Sequence, residues 1–142
     1  MIQPLSVALV VAGGTSSFLE DIYISARMEL LVPSTGTGPA RSCSLPSLPS
    51  GRSGPSVDIV GGELVVCGGE GGEQSCLRLA ETGSTSDEGG GKVILFHTGW
   101  VEMGAGLDTP RAGHVSWVNQ DDHLLLSGGI YSNETEIFGK KN

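Results

Sequence analysis

The sequence predicts an all-β fold of repeated antiparallel sheets, and three observations carry that prediction. A glycine doublet closes an apolar run three times, in Ser6-Val7-Ala8-Leu9-Val10-Val11-Ala12-Gly13-Gly14, in Leu64-Val65-Val66-Cys67-Gly68-Gly69 and in Leu124-Leu125-Leu126-Ser127-Gly128-Gly129. The doublets begin at Gly13, Gly68 and Gly128, spaced 55 and then 60 residues apart, as expected for a sheet-sized unit repeated in space. Composition agrees: 23 glycines and 7 prolines in 142 residues, with aromatics at 5%, suit short strands and tight turns better than long helices.

Each unit can be followed strand by strand. Arg52-Ser53-Gly54-Pro55-Ser56-Val57-Asp58-Ile59-Val60 starts sixteen residues before Gly68, and Arg111-Ala112-Gly113-His114-Val115-Ser116-Trp117-Val118 starts seventeen before Gly128. Both alternate small or polar side chains with apolar ones, the pattern of a half-buried strand. Turn residues follow, Gly61-Gly62-Glu63 and Asn119-Gln120-Asp121-Asp122, so each doublet run closes a hairpin. A third strand begins near Cys76 and Glu136, each seven residues past its doublet. In the first unit its counterpart is Met28-Glu29-Leu30-Leu31-Val32, delayed by an insertion of about eight residues, with Glu29 matching Glu136. Pro33-Ser34-Thr35-Gly36 reads as a turn. Fourth strands are expected at Ser42-Cys43-Ser44-Leu45 and Trp100-Val101-Glu102-Met103. The chain thus divides into a partial first unit (residues 1–50), a full second (51–110) and a partial third (111–142). Residues 80–92 are polar and Gly-rich, and a flexible loop is expected there.

This ordered set resembles the kelch repeat of β-propellers. The matching residues are the doublets Gly13-Gly14, Gly68-Gly69 and Gly128-Gly129, and the Arg-x-Gly-His of Arg111 to His114, with Arg52 as the earlier counterpart of Arg111. Trp100 and the Glu-Leu or Glu-Ile strands at Glu29 and Glu136 complete the set. Pro33-Ser34-Thr35-Gly36 and Cys43-Ser44-Leu45-Pro46-Ser47-Leu48-Pro49 are similar to stretches of secreted or membrane-linked members. The chain departs from the pattern at Pro55, where the third unit has His114, and at Cys43, where a Trp is expected. The resemblance implies four-stranded antiparallel blades of a kelch-type β-propeller. Such rings take four to eight blades. Three doublets therefore imply an open arc rather than a closed ring, a fragment of a larger propeller that needs further blades in cis or self-association. The resemblance also implies that Arg52, Arg111 and His114 lie beside the preceding unit's fourth strand and tie blades together, and that Trp100 and Trp117 fill inter-blade space.

The chemistry-bearing residues point away from catalysis. Formal net charge is −8 and the only adjacent bases are Lys140-Lys141, which argues against nucleic acid, whose phosphates need clustered Lys and Arg. No apolar run reaches the roughly 18 residues of a spanning helix. The run ending at Ala12 has no Lys or Arg before it, so a strand is preferred there over a signal peptide. His97, His114 and His123 share no metal-ligand spacing, His97 and His123 are expected in solvent-facing loops, and Asp121-Asp122 reads as a hairpin tip rather than a calcium loop. No nucleophile elbow, phosphate loop or cofactor motif is present. Cys67 and Cys76 would face each other on adjacent strands, either as a disulfide or as buried thiols, and Asn133-Glu134-Thr135 is an acceptable glycosylation sequon. The two features favour an extracellular setting over a cytoplasmic one. The functional expectation is a non-enzymatic scaffold whose loops bind a protein or carbohydrate partner, through segments 15–27, 70–75, 80–92 and 130–134. The alternative is a fragment of a propeller enzyme resembling galactose oxidase, its catalytic residues outside this chain.

Overall fold

The computed structural model describes residues 9–19, 21–34, 38–88 and 91–138, and every element among them is a β-strand. In chain order these are β1 (Leu9–Ala12), β2 (Thr15–Phe18), β3 (Asp21–Ile24), β4 (Met28–Val32), β5 (Arg41–Leu45), β6 (Ser56–Val60), β7 (Glu63–Cys67), β8 (Cys76–Glu88), β9 (Gly91–Glu102), β10 (Val115–Val118), β11 (Leu124–Ser127) and β12 (Thr135–Phe138). Three antiparallel sheets follow the three units: β1-β4-β5, β6-β7-β8-β9 and β10-β11-β12. The expected strands at 28–32, 42–45 and 100–102 take their places. Of the first apolar run, Leu9–Ala12 forms β1, and Ser6, Val7 and Ala8 lie outside the described residues, as do Thr35, Gly36 and Lys140-Lys141.

Two expectations are corrected. The insertion after the first doublet is not a loop but a separate hairpin, β2 paired with β3 from Thr15↔Ile24 to Phe18↔Asp21. Tyr23 therefore sits on a strand, and His97 lies on β9 rather than in a loop. Of segment 80–92, expected as a flexible loop, residues 80–88 and 91–92 are strand, and β8 and β9 pair from Leu77↔Glu102 to Glu88↔Gly91; Gly89 and Gly90 lie outside the described residues. Thr15-Ser16-Ser17 and the run Glu81-Thr82-Gly83-Ser84-Thr85-Ser86-Asp87-Glu88 have no alternation of apolar and polar residues, so the strand period that marks the other elements is missing there.

The sheets stack face to face, and the parity of each doublet strand decides which neighbour it meets. In β7, Val65 and Cys67 pack with Leu124 and Leu126 of β11. The alternate residue Val66, with Leu64 beside it, packs with Met28 and Leu48 of the first unit. Both faces of the strand are thus covered, and this is why its apolar run is continuous rather than alternating. Val66, Cys67, Cys76 and Leu126 are all fully buried. Trp100 fills the first seam and donates its indole N–H to Pro46 O at 2.8 Å. Trp117 does not fill a seam; it sits on the opening strand β10 and is 44% exposed.

The first two doublets turn their strand ends toward the following unit. Gly13, Gly68 and Gly128 have φ of +65°, +65° and +73°, a region that side chains enter only with strain. A Cβ on Gly13 would stand 2.1 Å from Arg52 O, and one on Gly68 would stand 2.6 Å from Arg111 O. Gly61, in the β6–β7 turn, has φ +57° but open space around it. Gly68→Ala and Gly61→Ala therefore carry similar backbone strain, about 1–2 kcal/mol, and only Gly68→Ala also forces two units apart. Urea unfolding should show Gly68→Ala destabilised by at least ~2 kcal/mol more than Gly61→Ala.

Candidate functional site

The second and third units each open with an arginine whose two ends serve different neighbours. The main chain faces backward: Gly14 N–H donates to Arg52 O at 2.9 Å and Gly69 N–H to Arg111 O at 2.8 Å. The guanidinium instead folds over its own unit. Arg52 Nη1 donates to Gly68 O, Gly72 O and Ser75 O at 2.8, 2.9 and 3.0 Å, and Nη2 reaches Ser75 Oγ. Arg111 Nη1 donates to Gly128 O and Glu134 O at 2.8 and 2.7 Å, while Nε pairs with Glu136 Oε1 at 2.8 Å. The expectation that these side chains lie beside the preceding unit's fourth strand is corrected: they clamp the doublet and following loop of their own unit. A planar fork with five donors can satisfy several loop carbonyls at once. Both arginines are buried, and burial lowers the pKa of Arg52 from its ordinary value, while Glu102 and Glu73 partly offset that loss.

His114 lies on the seam itself. Its Nε2 is 2.9 Å from Ser56 Oγ of the second sheet, and Ser56 in turn donates to Cys67 O at 3.4 Å. That chain of bonds assigns the proton to Nε2, and leaves Nδ1 buried without a partner. Beside it, Ser116 Oγ donates to Asp58 Oδ2 at 2.6 Å. His114 thus joins two sheets, through a hydroxyl rather than a loop carbonyl. His123, expected to face solvent, is half-buried in the β10–β11 turn, where its N–H donates to Asn119 Oδ1 at 2.9 Å.

Cys67 and Cys76 are register partners on β7 and β8, with Cα atoms 4.1 Å apart and sulfurs at bonding distance, 2.07 Å. Asn133 is exposed in the segment between β11 and β12, and Cys43 is an exposed free thiol on β5. No group of three His, Cys, Asp or Glu among the described residues could hold a metal ion. No helix among them is long and apolar enough to cross a membrane.

The arginine clamps frame a cleft of about 560 Å³ where the second and third units meet, lined by Gly72, Glu73, Gln74, Ser75, Glu102, Pro110 and Tyr131. Its wall is the loop that Arg52 holds from beneath. Leu107 N–H donates to Gln74 O at 2.7 Å and Arg111 N–H to Glu73 O at 2.8 Å, pinning the same loop from the other side. Glu73 accepts from Gly71 N–H at 3.2 Å. Backbone donors at Glu73 and Gly71 hold its carboxyl below the ordinary value, and the Arg52 charge adds to the effect. The cleft therefore brings together Glu73 on the clamped loop, Glu102 at the end of β9 and the Tyr131 ring beyond β11, with no basic side chain among the described lining residues. Sequence reading placed 70–75 and 130–134 among binding segments but missed Glu102 and Pro110, which only the fold brings to them.

No protein-family model matches this chain, and no curated protein matches it.

Burial, and then the Arg111 charge, push the His114 pKa below its ordinary value of 6.5. The folded state therefore holds fewer protons than the unfolded chain below that pH, and stability present above about 6.5 is lost as pH falls toward the folded-state pKa. Glu73 acts in a separate window, because its depressed pKa costs stability only as pH falls below 4.5. Thermal unfolding should show a falling Tm below about pH 6.5 in the parent chain. The slope should flatten in His114→Gln, with the loss below 4.5 retained.

Proposed function

We propose that the stacked sheets are blades of a kelch-type propeller arc and that the chain is a non-enzymatic binding module seating a basic peptide segment. Three features support the blade reading: the repeated left-handed doublets, the arginine clamps at matching offsets and the four-stranded order of the second sheet. The cleft over the second and third units carries the binding reading. Glu73 and Glu102 supply negative charge with no Lys or Arg among the described lining residues, and half-exposed Tyr131 offers a ring face to a guanidinium or ammonium group. Such a face gains from cation–π attraction. The cleft loop is fixed by the Arg52 and Arg111 contacts, so little ordering cost is left for the binding step. The net charge of −8 steers the same class of partner. The bonded distance of Cys67 to Cys76 and the exposed Asn133 support an extracellular setting.

Calorimetric titration with an Arg- and Lys-rich decapeptide, beside its Glu-substituted counterpart, tests this reading. The basic peptide should bind, more weakly as salt rises, and the acidic one should not. Glu73→Gln with Glu102→Gln should weaken binding about tenfold, or ~1.4 kcal/mol, although most of the net charge remains. Equal binding of both peptides, or unchanged affinity in the double variant, contradicts the proposal.

A further inference from the structure

We propose that two copies of this chain associate head to tail, the outward face of the third sheet in one copy packing on the outward face of the first sheet in the other. The inference rests on reading the sheets as propeller blades. Its physical basis is that, among the described residues, the two outer sheets expose the equivalents of both halves of an interface the chain has already built twice.

Counted back from the first doublet glycine, equivalent residues have equivalent neighbours. Val10 and Ala12 face the second sheet, and Val65 and Cys67, at the same positions, face the third. Leu125 and Ser127 occupy those positions in the third sheet, on the face opposite Leu124 and Leu126. The reverse holds on the other parity. Val66 and Leu64 face the first unit, and Leu126 and Leu124 face the second. Their equivalents in β1, Val11 and Leu9, are 44% and 58% exposed. Every internal seam is therefore front against back, and among the described residues one front and one back have no sheet against them.

Both uncovered faces carry exposed apolar residues, with Glu29 beside Val11 on the first sheet and Ser127 beside Thr135 on the third. Val115, Trp117 and Ile137 on the third sheet are 64%, 44% and 38% exposed. Val115 and Trp117 stand where the second sheet has Ser56 and Asp58, the residues that bond to His114 and Ser116 across the internal seam. The free front is thus more apolar than the front the chain covers itself. On the first sheet, a depression of about 370 Å³ surrounds Leu9 and Leu31. These two are register partners, as Leu124 and Phe138 are, and the latter pair packs against the second sheet. An exposed apolar face with such a counterpart favours association. A front-to-back contact repeats until it closes or runs on as a filament. Two chains, each with three stacked sheets among its described residues, would give six blades, within the four to eight of closed propellers.

Light scattering coupled to gel filtration reads the outcome directly. The parent chain should run at twice its 14.6 kDa mass. Leu9→Arg and Ile137→Arg each block one face at an exposed position, so each should be monomeric with an unchanged circular dichroism spectrum and Tm. Mixing the two variants leaves one intact front and one intact back, and should restore a dimer. A monomeric parent, a dimer that survives Leu9→Arg, or a mixture that stays monomeric overturns the proposal. Basic-peptide binding measured on the same samples keeps the two readings separable, because a monomer that binds peptide sinks only the association.

Discussion

One main-chain contact sets the spacing of the whole stack: the second glycine of a doublet donates its N–H to the carbonyl of the arginine that opens the next unit. The first glycine has to lack a side chain for that approach, since Arg52 O or Arg111 O occupies the space a Cβ would need. Once the arginine backbone is fixed there, its side chain has only its own unit within reach. It closes on the carbonyls left open by the doublet turn and the loop beyond it. Glycine and arginine are therefore one device. The glycine admits the neighbour's backbone, and the neighbour's guanidinium stiffens the turn that follows.

Packing energetics follow from that spacing. Close stacking buries both faces of β7, and the clusters around Val65 and Val66 draw their members from different neighbouring sheets. Apolar burial contributes about 25 cal/mol per Å², so most of the stabilisation resides in the two seams rather than within any one sheet. The buried arginines contribute less through charge than through satisfying carbonyls that would otherwise be unpaired away from water. Of these, Arg111 also has an ionic partner, Glu136, whose second oxygen accepts Asp108 N–H at 2.9 Å. That carboxylate links the linker leaving the second sheet to the last strand of the third.

Much of this architecture was legible in the sequence, for a physical reason. The doublets, the opening arginines and the Cys67–Cys76 register are local features repeated at fixed offsets, and local rules of turn and strand formation reach them. The hairpin at 15–24 and the long β8–β9 ladder were not legible, because Thr15, Ser16, Ser17 and the polar run after Ala80 lack the apolar–polar alternation of a half-buried strand. The direction of the arginine side chains was misread for another reason. Chain order puts Arg111 just after the second unit's fourth strand, yet its guanidinium reaches forward over residues 128–136. The cleft was half visible: its loop segments were anticipated, whereas Glu102 and Pro110 join it only through contacts between distant segments.

Amide hydrogen exchange at Gly69, resolved by NMR, tests the central contact most directly. Gly69 lies in a turn, where amides ordinarily exchange fast, but its bond to Arg111 O breaks only when two units separate. The amide should be protected to a level comparable with Val66 in the buried strand. Exchange as fast as at Gly62, in the exposed β6–β7 turn, would contradict this account of how the units are held together.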